Sequence, residues 1–159
     1  MTAPEPILRS AARVLLIDGR DRLLLFRGRD PGRPAVPAYW FTVGGGLDPG
    51  ESPVHGALRE MYEETGLRLS ADDLVGPVAE DVTEFLFEGR TYRQSQVFFV
   101  ARVDTWEVDT SAFAEVEVRT IDSHRWWSAA ELDSADEAYY PQNLPALLRQ
   151  ALVPARKVG

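Results

Sequence analysis

The stretch from Gly45 to Leu67 constrains this chain more than any other, because it joins a glycine-rich turn, a helix and three closely spaced acids. It opens Gly45-Gly46-Leu47-Asp48-Pro49-Gly50-Glu51, a loop that Pro49 and Gly50 turn sharply. Ser52 reads as an N-cap with Pro53 at the first helical position, and Gly66 as a helix stop. Val54, Leu58, Met61 and Thr65 recur at three- and four-residue steps, which predicts one buried stripe. Glu60, Glu63 and Glu64 stand at helical neighbour spacings, so their carboxylates are expected to crowd another face.

That crowding is unfavourable by itself. Like charges at these spacings cost about 0.2–0.5 kcal/mol per pair on an exposed helix, and more where water is excluded. The acids also fall in the second half of the helix, where its dipole disfavours negative charge. Arg59 reaches Glu63 one turn away, but one guanidinium does not neutralise three carboxylates. A hard divalent cation does, since Mg²⁺ takes oxygen ligands and is commonly held by carboxylates together with substrate phosphates. A solvated acidic helix end is the plain alternative. The glycine loop beside the acids tips the reading to a site.

Written as a pattern, the stretch is G-x5-E-x7-R-E-U-x-E-E-x-G-U, with U apolar, filled by Gly45, Glu51, Arg59, Glu60, Met61, Glu63, Glu64, Gly66 and Leu67. This resembles the Nudix box, and no position is missing. Val43 stands where many members carry a proline, a change expected to alter loop stiffness more than chemistry. The resemblance implies an α/β/α sandwich around a mixed β-sheet. It implies hydrolysis of the P–O–P bond of a nucleoside diphosphate linked to another moiety, or of a similar small-molecule diphosphate. It also implies Mg²⁺ as cofactor, with Mn²⁺ as a substitute.

Site residues follow from the same resemblance. Glu60 and Glu64 are the expected direct metal ligands, with Glu63 a ligand or a ligand to a second ion, and the Gly45 carbonyl completing the set. Arg59 is expected to hold Glu63 or Glu51 in place, and Glu51 to orient rather than react. A general base in this family is often supplied from outside the box or by one of its glutamates. Glu115 and Glu117, in the acidic stretch before Arg125-Trp126-Trp127, are the outside candidates, and Glu117 has the preferred spacing. A plain acidic surface loop is the competing reading for both.

The flanking chain supports one α/β domain over residues 8–153, with 1–7 and 154–159 as flexible tails. Apolar β-rich runs at Arg9–Ile17 and Arg22–Arg27 flank Asp18-Gly19-Arg20-Asp21, a strong hairpin signal. Gly28–Ala38 is a loop whose Arg29 or Arg33 is a candidate grip on substrate phosphate, with solvated connection as the alternative. Tyr39–Val43 predicts an aromatic strand, and Trp40 is a candidate stacking residue although aromatics are usually core. Val75–Phe87 and Tyr92–Val103 predict a long hairpin across Glu88-Gly89-Arg90, with Gln96–Ala101 dense enough for a central strand. Trp106–Val118 reads as irregular, Ser123–Trp127 as a late strand, Ser128–Leu132 as a helical turn and Pro141–Leu152 as an amphipathic closing helix.

Composition narrows the function classes. The net charge of −8 argues against a nucleic-acid backbone partner, which needs a basic surface. There is no cysteine, which removes thiolate chemistry, zinc–thiolate sites and the cysteine-dependent isoprenoid diphosphate isomerase reading of the same fold. A nucleotide-sensing module that binds without hydrolysis remains the alternative of a different class; loss of a box glutamate would favour it, and none is lost. Met1–Pro6 lacks a basic segment followed by an apolar core, and no apolar run approaches the ~20 residues that span a bilayer, so a cytoplasmic location without membrane contact is expected. A homodimer is left open.

Overall fold

The computed structural model describes residues 4–153. In chain order the elements are β1 (Ile7–Ile17), β2 (Leu23–Gly28), β3 (Tyr39–Gly46), α1 (Pro53–Thr65), β4 (Val75–Phe87), β5 (Arg90–Arg102), α2 (Glu115–Thr120), β6 (Ile121–Trp127), α3 (Ala129–Asp133), β7 (Tyr139–Tyr140) and α4 (Leu144–Leu152). A short 3-10 turn at Ala71–Asp73 joins α1 to β4. No helix among the described residues is long and apolar enough to cross a membrane.

From Val14 to Ile17 in β1 and from Leu23 to Phe26 in β2 the chain is apolar and buried on both sides, as strand segments covered on both faces must be. Leu15, Ile17, Leu23 and Leu25 go to one buried cluster, and Val14, Leu16, Leu24 and Phe26 to another. α1 adds Ala57 and Met61 to the second cluster. α3 and α4 close the first with Leu132, Leu144, Leu147 and Leu148. Each such leucine contributes about 1.5–3 kcal/mol through burial. Helices on both faces of one sheet make the α/β/α sandwich.

The sheet has seven strands in the order β4-β5-β1-β2-β3-β7, with β6 beside β2 and a further pairing of β1 with β3. β1 runs parallel to β5 from Ile7↔Tyr92 to Ile17↔Arg102. β7 is parallel to β3, and the remaining pairs are antiparallel, so the sheet is mixed. As expected, β5 is internal.

Several boundaries differ from the sequence reading, each for a local reason. The Asp18–Asp21 turn forms, with Asp18 N–H bonded to the Arg22 carbonyl at 2.9 Å. The hairpin it closes is one pair long, Ile17↔Leu23, because β1 is taken up by β3 and β5 while β2 pairs with β3 and β6. β1 starts at Ile7, inside the arm expected to be loose; Met1–Ala3 and residues 154–159 lie outside the described residues. The expected irregular stretch ends in helix α2. β7 has two residues, too short for any alternation to announce it.

Candidate active site

β3 delivers the chain to the site as Val43-Gly44-Gly45-Gly46, paired with β1 through Val14↔Val43, Arg13↔Gly44, Ala12↔Gly45 and Ala11↔Gly46. Two close approaches need glycine here. A Cβ on Gly45 would come within 2.9 Å of Glu60 Oε1. One on Gly56, inside α1, would come within 2.2 Å of Leu47 Cδ2. A helical glycine costs about 1 kcal/mol relative to alanine, and here it lets the loop lie directly on the helix.

The ends of α1 are set as the sequence predicts. Ser52 accepts a hydrogen bond from the His55 amide, and Gly66 closes the helix in a left-handed conformation with its N–H on the Tyr62 carbonyl. The buried stripe is rotated from the expected one. Ala57, Met61 and Thr65 are its axis, and Glu60 and Glu64 are buried beside it, with 8 % and 2 % exposure. The acids therefore border the core under the glycine strand instead of occupying a separate face.

Burial dominates their electrostatics. Glu64 Oε1 accepts a hydrogen bond from the Gly44 amide at 2.7 Å. Its pKa is nonetheless pushed well up, first by loss of water and then by the neighbouring Glu60 charge. Glu60 is shifted up by burial, opposed by Arg59. Arg59 is the common partner of the group. It donates to Glu51 through Nε and Nη2, each at 2.8 Å. Nη1 reaches Glu60 and Glu63, each at 3.1 Å, and Nη2 also reaches the Gly46 carbonyl at 3.1 Å. With the Asp48 amide as a second donor, this holds the Glu51 carboxyl down at about 2.

The long loop after β5 returns to this place. Trp106 Nε1 donates to the Thr65 carbonyl at 2.8 Å, and Asp109 N–H to the same carbonyl at 2.9 Å, tying the loop to the end of α1. α2 then brings Glu117 to the acids. One carboxylate oxygen each from Glu60, Glu63 and Glu117 lie within 4.8 Å of one another. Hard oxygen donors at this spacing suit a hard divalent cation, and the chain has no cysteine to offer a thiolate.

The NUDIX domain family model matches residues 7–149. The chain belongs to the Nudix hydrolase family. It is 29% identical to an RNA pyrophosphohydrolase of Roseobacter denitrificans over 141 residues, covering 81% of this chain and 84% of the relative. It is 32% identical to an RNA pyrophosphohydrolase of Rhodospirillum rubrum over 125 residues, covering 74% and 71%. The crystal structure of a MutT protein from Methanosarcina mazei superposes with a TM-score of 0.64 at 19% identity, covering 93% of this chain and 95% of that one, a likeness of fold. The activity class of the family is hydrolysis of pyrophosphate bonds.

Among the expected site residues of this Nudix hydrolase, Gly45, Glu51, Arg59, Glu60, Glu63, Glu64 and Glu117 come together. Glu64 stands slightly apart, with one oxygen committed to Gly44 and outside the trio of converging carboxylates. Glu115 is not in that trio. Arg29 is exposed, its amide bonded to the Thr120 carbonyl at the end of α2. Trp40 lies in the cluster on the sheet face opposite α1, edge-on to Trp127 at 5.1 Å, with Nε1 donating to Glu137. That packing leaves it 7 % exposed, and its ring is core. His55 is exposed on α1, and His124 is exposed on β6 against Phe26.

Sequence reasoning passed over Arg13. Its Nη1 donates to the Thr42 and Gly44 carbonyls at 3.2 and 2.9 Å, which fixes the glycine strand from below. Burial shifts its pKa down, opposed first by Glu64. The available signal was a lone charge within the apolar run Ala11-Ala12-Arg13-Val14-Leu15-Leu16-Ile17.

Proposed function

We propose that this Nudix hydrolase depends on Mg²⁺, or Mn²⁺ in its place, and cleaves the P–O–P bond of a nucleoside diphosphate linked to a second moiety. The convergence of Glu60, Glu63 and Glu117 beside the Gly44–Gly46 strand carries this reading. When bound, the cation neutralises phosphate oxygens and makes water more acidic. Glu60, Glu63 and Glu64, with the Gly45 carbonyl, are the groups that would hold it. Glu117 takes the proton from water as its oxygen attacks phosphorus in line. The P–O bond opposite breaks, and the bridging oxygen leaves with the second phosphate. Arg59 keeps Glu51, Glu60 and Glu63 in register by its hydrogen bonds and meets no reacting atom.

A second substrate reading, the 5′-triphosphate end of RNA, is favoured by the names of the two relatives. The net charge of −8 favours the small substrate over a polyanion. Hydrolysis in ¹⁸O-labelled water tests the bond: label belongs on phosphorus, and label only on carbon refutes the mechanism. Parallel assays with a dinucleoside diphosphate and a 5′-triphosphate RNA, each with and without EDTA, separate the two substrates and the cation requirement.

A further inference from the structure

Three glycines in a row, Gly44-Gly45-Gly46, leave β3 without side chains where it passes the acids, and charged groups from other elements fill the space. A Cβ on Gly44 would fall 3.0 Å from Arg13 Cδ, and one on Gly46 would fall 2.4 Å from Arg9 Nε. One on Gly45 would fall 2.9 Å from Glu60 Oε1. Arg9 and Arg13 share the alternation of Leu15 and Ile17 on β1, so they stand on the sheet face opposite α1. Glu60 and Glu64 come from α1 on the other side. The strand is a single backbone layer between two guanidiniums and two carboxylates.

Such a strand has little rigidity of its own, because glycine turns about φ and ψ at low cost. Arg13 and Glu64 supply the rigidity from opposite faces. Gly44 sits at φ +132°, and the peptide planes before and after it are held separately. Glu64 Oε1 accepts from the Gly44 amide at 2.7 Å, which fixes the plane before it. Arg13 Nη1 donates to the Gly44 carbonyl at 2.9 Å, which fixes the plane after it, and to the Thr42 carbonyl at 3.2 Å. Past Gly45, the Gly46 carbonyl accepts from Arg59 Nη2 at 3.1 Å, and the Leu47 amide donates to the Ser10 carbonyl at 2.8 Å. The Gly45 carbonyl thus lies between planes that are held on both sides. Arg13 is steadied in turn by Gln96, whose Oε1 accepts from Arg13 Nε at 3.4 Å and from Gln94 Nε2 at 3.0 Å.

We propose that Arg13 is a positioning residue of the cation site: by holding Gly44 from the far face it aims the Gly44 amide at Glu64 and directs the Gly45 carbonyl. This rests on the cation dependence proposed above. Arg13 itself meets neither the cation nor a reacting atom. Its reach matters as well as its charge, since one nitrogen bridges two carbonyls while another meets Gln96, and lysine does not reproduce that fork. Without the guanidinium, Gly44 is left to turn its amide away from Glu64. The strand itself survives, because ladders to β1 and β2 still pair it. What changes is the alignment of the ligands, and groups that orient ligands account for about 10–100-fold in metal affinity.

Amide NMR in EDTA reads this geometry without cation or substrate. The Gly44 amide proton, bonded to a carboxylate, should resonate far downfield in the wild type. Arg13→Met should move it upfield, toward its position in Glu64→Gln. Leu147→Ala, a destabilising change under α4 on the far side of the sheet from α1, should leave it in place. Calorimetric titration with Mg²⁺ reads the consequence. Binding should be about 10–100-fold weaker in Arg13→Met, weaker by less in Arg13→Lys, and at the wild-type level in Leu147→Ala. If Arg13→Met lacks a cooperative melting transition, the lysine variant carries both measurements. An unmoved Gly44 amide or wild-type Mg²⁺ affinity in a folded Arg13 variant overturns the proposal. So does equal weakening in Leu147→Ala, which would assign the effect to lowered stability. Wild-type protein that binds no Mg²⁺ at millimolar concentration overturns the cation reading, and this inference falls with it; the other outcomes sink the inference alone.

Discussion

The Glu64 carboxylate receives the Gly44 amide at 2.7 Å, so the most deeply buried acid of α1 is pinned to the strand that forms the floor of the site. The same bond puts a negative charge where water is excluded, and that charge is what a cation would relieve.

Replacing Glu64 with Gln separates these effects. The amide keeps an oxygen for Gly44 and removes the charge. In EDTA the variant should melt at or above the wild-type temperature. Its gain in stability on adding Mg²⁺, which follows RT ln(1 + [L]/Kd) for a ligand of the folded state, should largely disappear. Activity should fall about 10²-fold or more, as for loss of a group that stabilises transition-state charge. An unaltered Mg²⁺ shift in the variant would count against Glu64.

The acids also set a pH dependence for the cation-free protein. Glu60 and Glu64 are shifted up by burial, so their contribution to stability is full below the unfolded value near ~4.3 and is lost as pH rises through the folded values. Glu51 works in the opposite direction: held at about 2 by Arg59, it contributes above the unfolded value and is lost as pH falls toward its own. Urea unfolding in EDTA should therefore show stability declining from mildly acid to neutral pH. Mg²⁺ should restore more at pH 8 than at pH 5. A flat profile in EDTA would refute the buried-charge account.

Glu117 and Glu115 differ in place and should differ in effect. Glu117→Gln is expected to lower kcat by about 10²-fold, within the range for general-base groups. Glu115→Gln, two residues away at the start of α2 and outside the converging trio, should change it little. Equal loss in both variants would mean that α2 acts by its placement and not through the Glu117 carboxylate.

Arg59→Lys tests the hub. A lysine keeps the charge but not the planar fork that serves Glu51, Glu60 and Glu63 together. Activity should drop about 10–100-fold, the usual effect of removing a group that orients ligands, with a lower melting temperature. Wild-type kinetics in this variant would reduce Arg59 to a simple counter-charge.

Much of this was legible in the sequence because one short segment encodes both the turn and the helix. Ser52, Pro53 and Gly66 mark the ends of α1 by local chemistry, and periodicity finds the long strands of the sheet. What was not legible depends on distant partners. The stripe of α1 is rotated toward Ala57 because Leu47 lies against Gly56, a contact that spacing cannot report. For Trp40 the sequence left stacking and core both open, and the choice depends on Trp127, far along the chain, which packs edge-on against it. Glu117 sat in a stretch without alternation, and its placement follows from the bonds that Trp106 and Asp109 make to Thr65. Arg13 was hidden because a strand inside a sheet reads as an apolar run even when one member of it is a clamp.

The parallel seam between β1 and β5 governs how the molecule is made. Arg13 meets Gln96 across 83 residues of chain, and the whole of β1 is laid against a strand synthesised long after it. Loops of that length close slowly, and their entropy is lost before any of the new contacts repay it. A nascent chain that stops before Arg90 carries the complete glycine loop and acidic helix and can pair β1 with β3 over four residues, but it lacks β5, which pairs with β1 along its whole length from Ile7 to Ile17. Catalytic competence on the ribosome therefore arrives late, with β5 and then α2, and a fragment ending at the box is expected to remain unfolded.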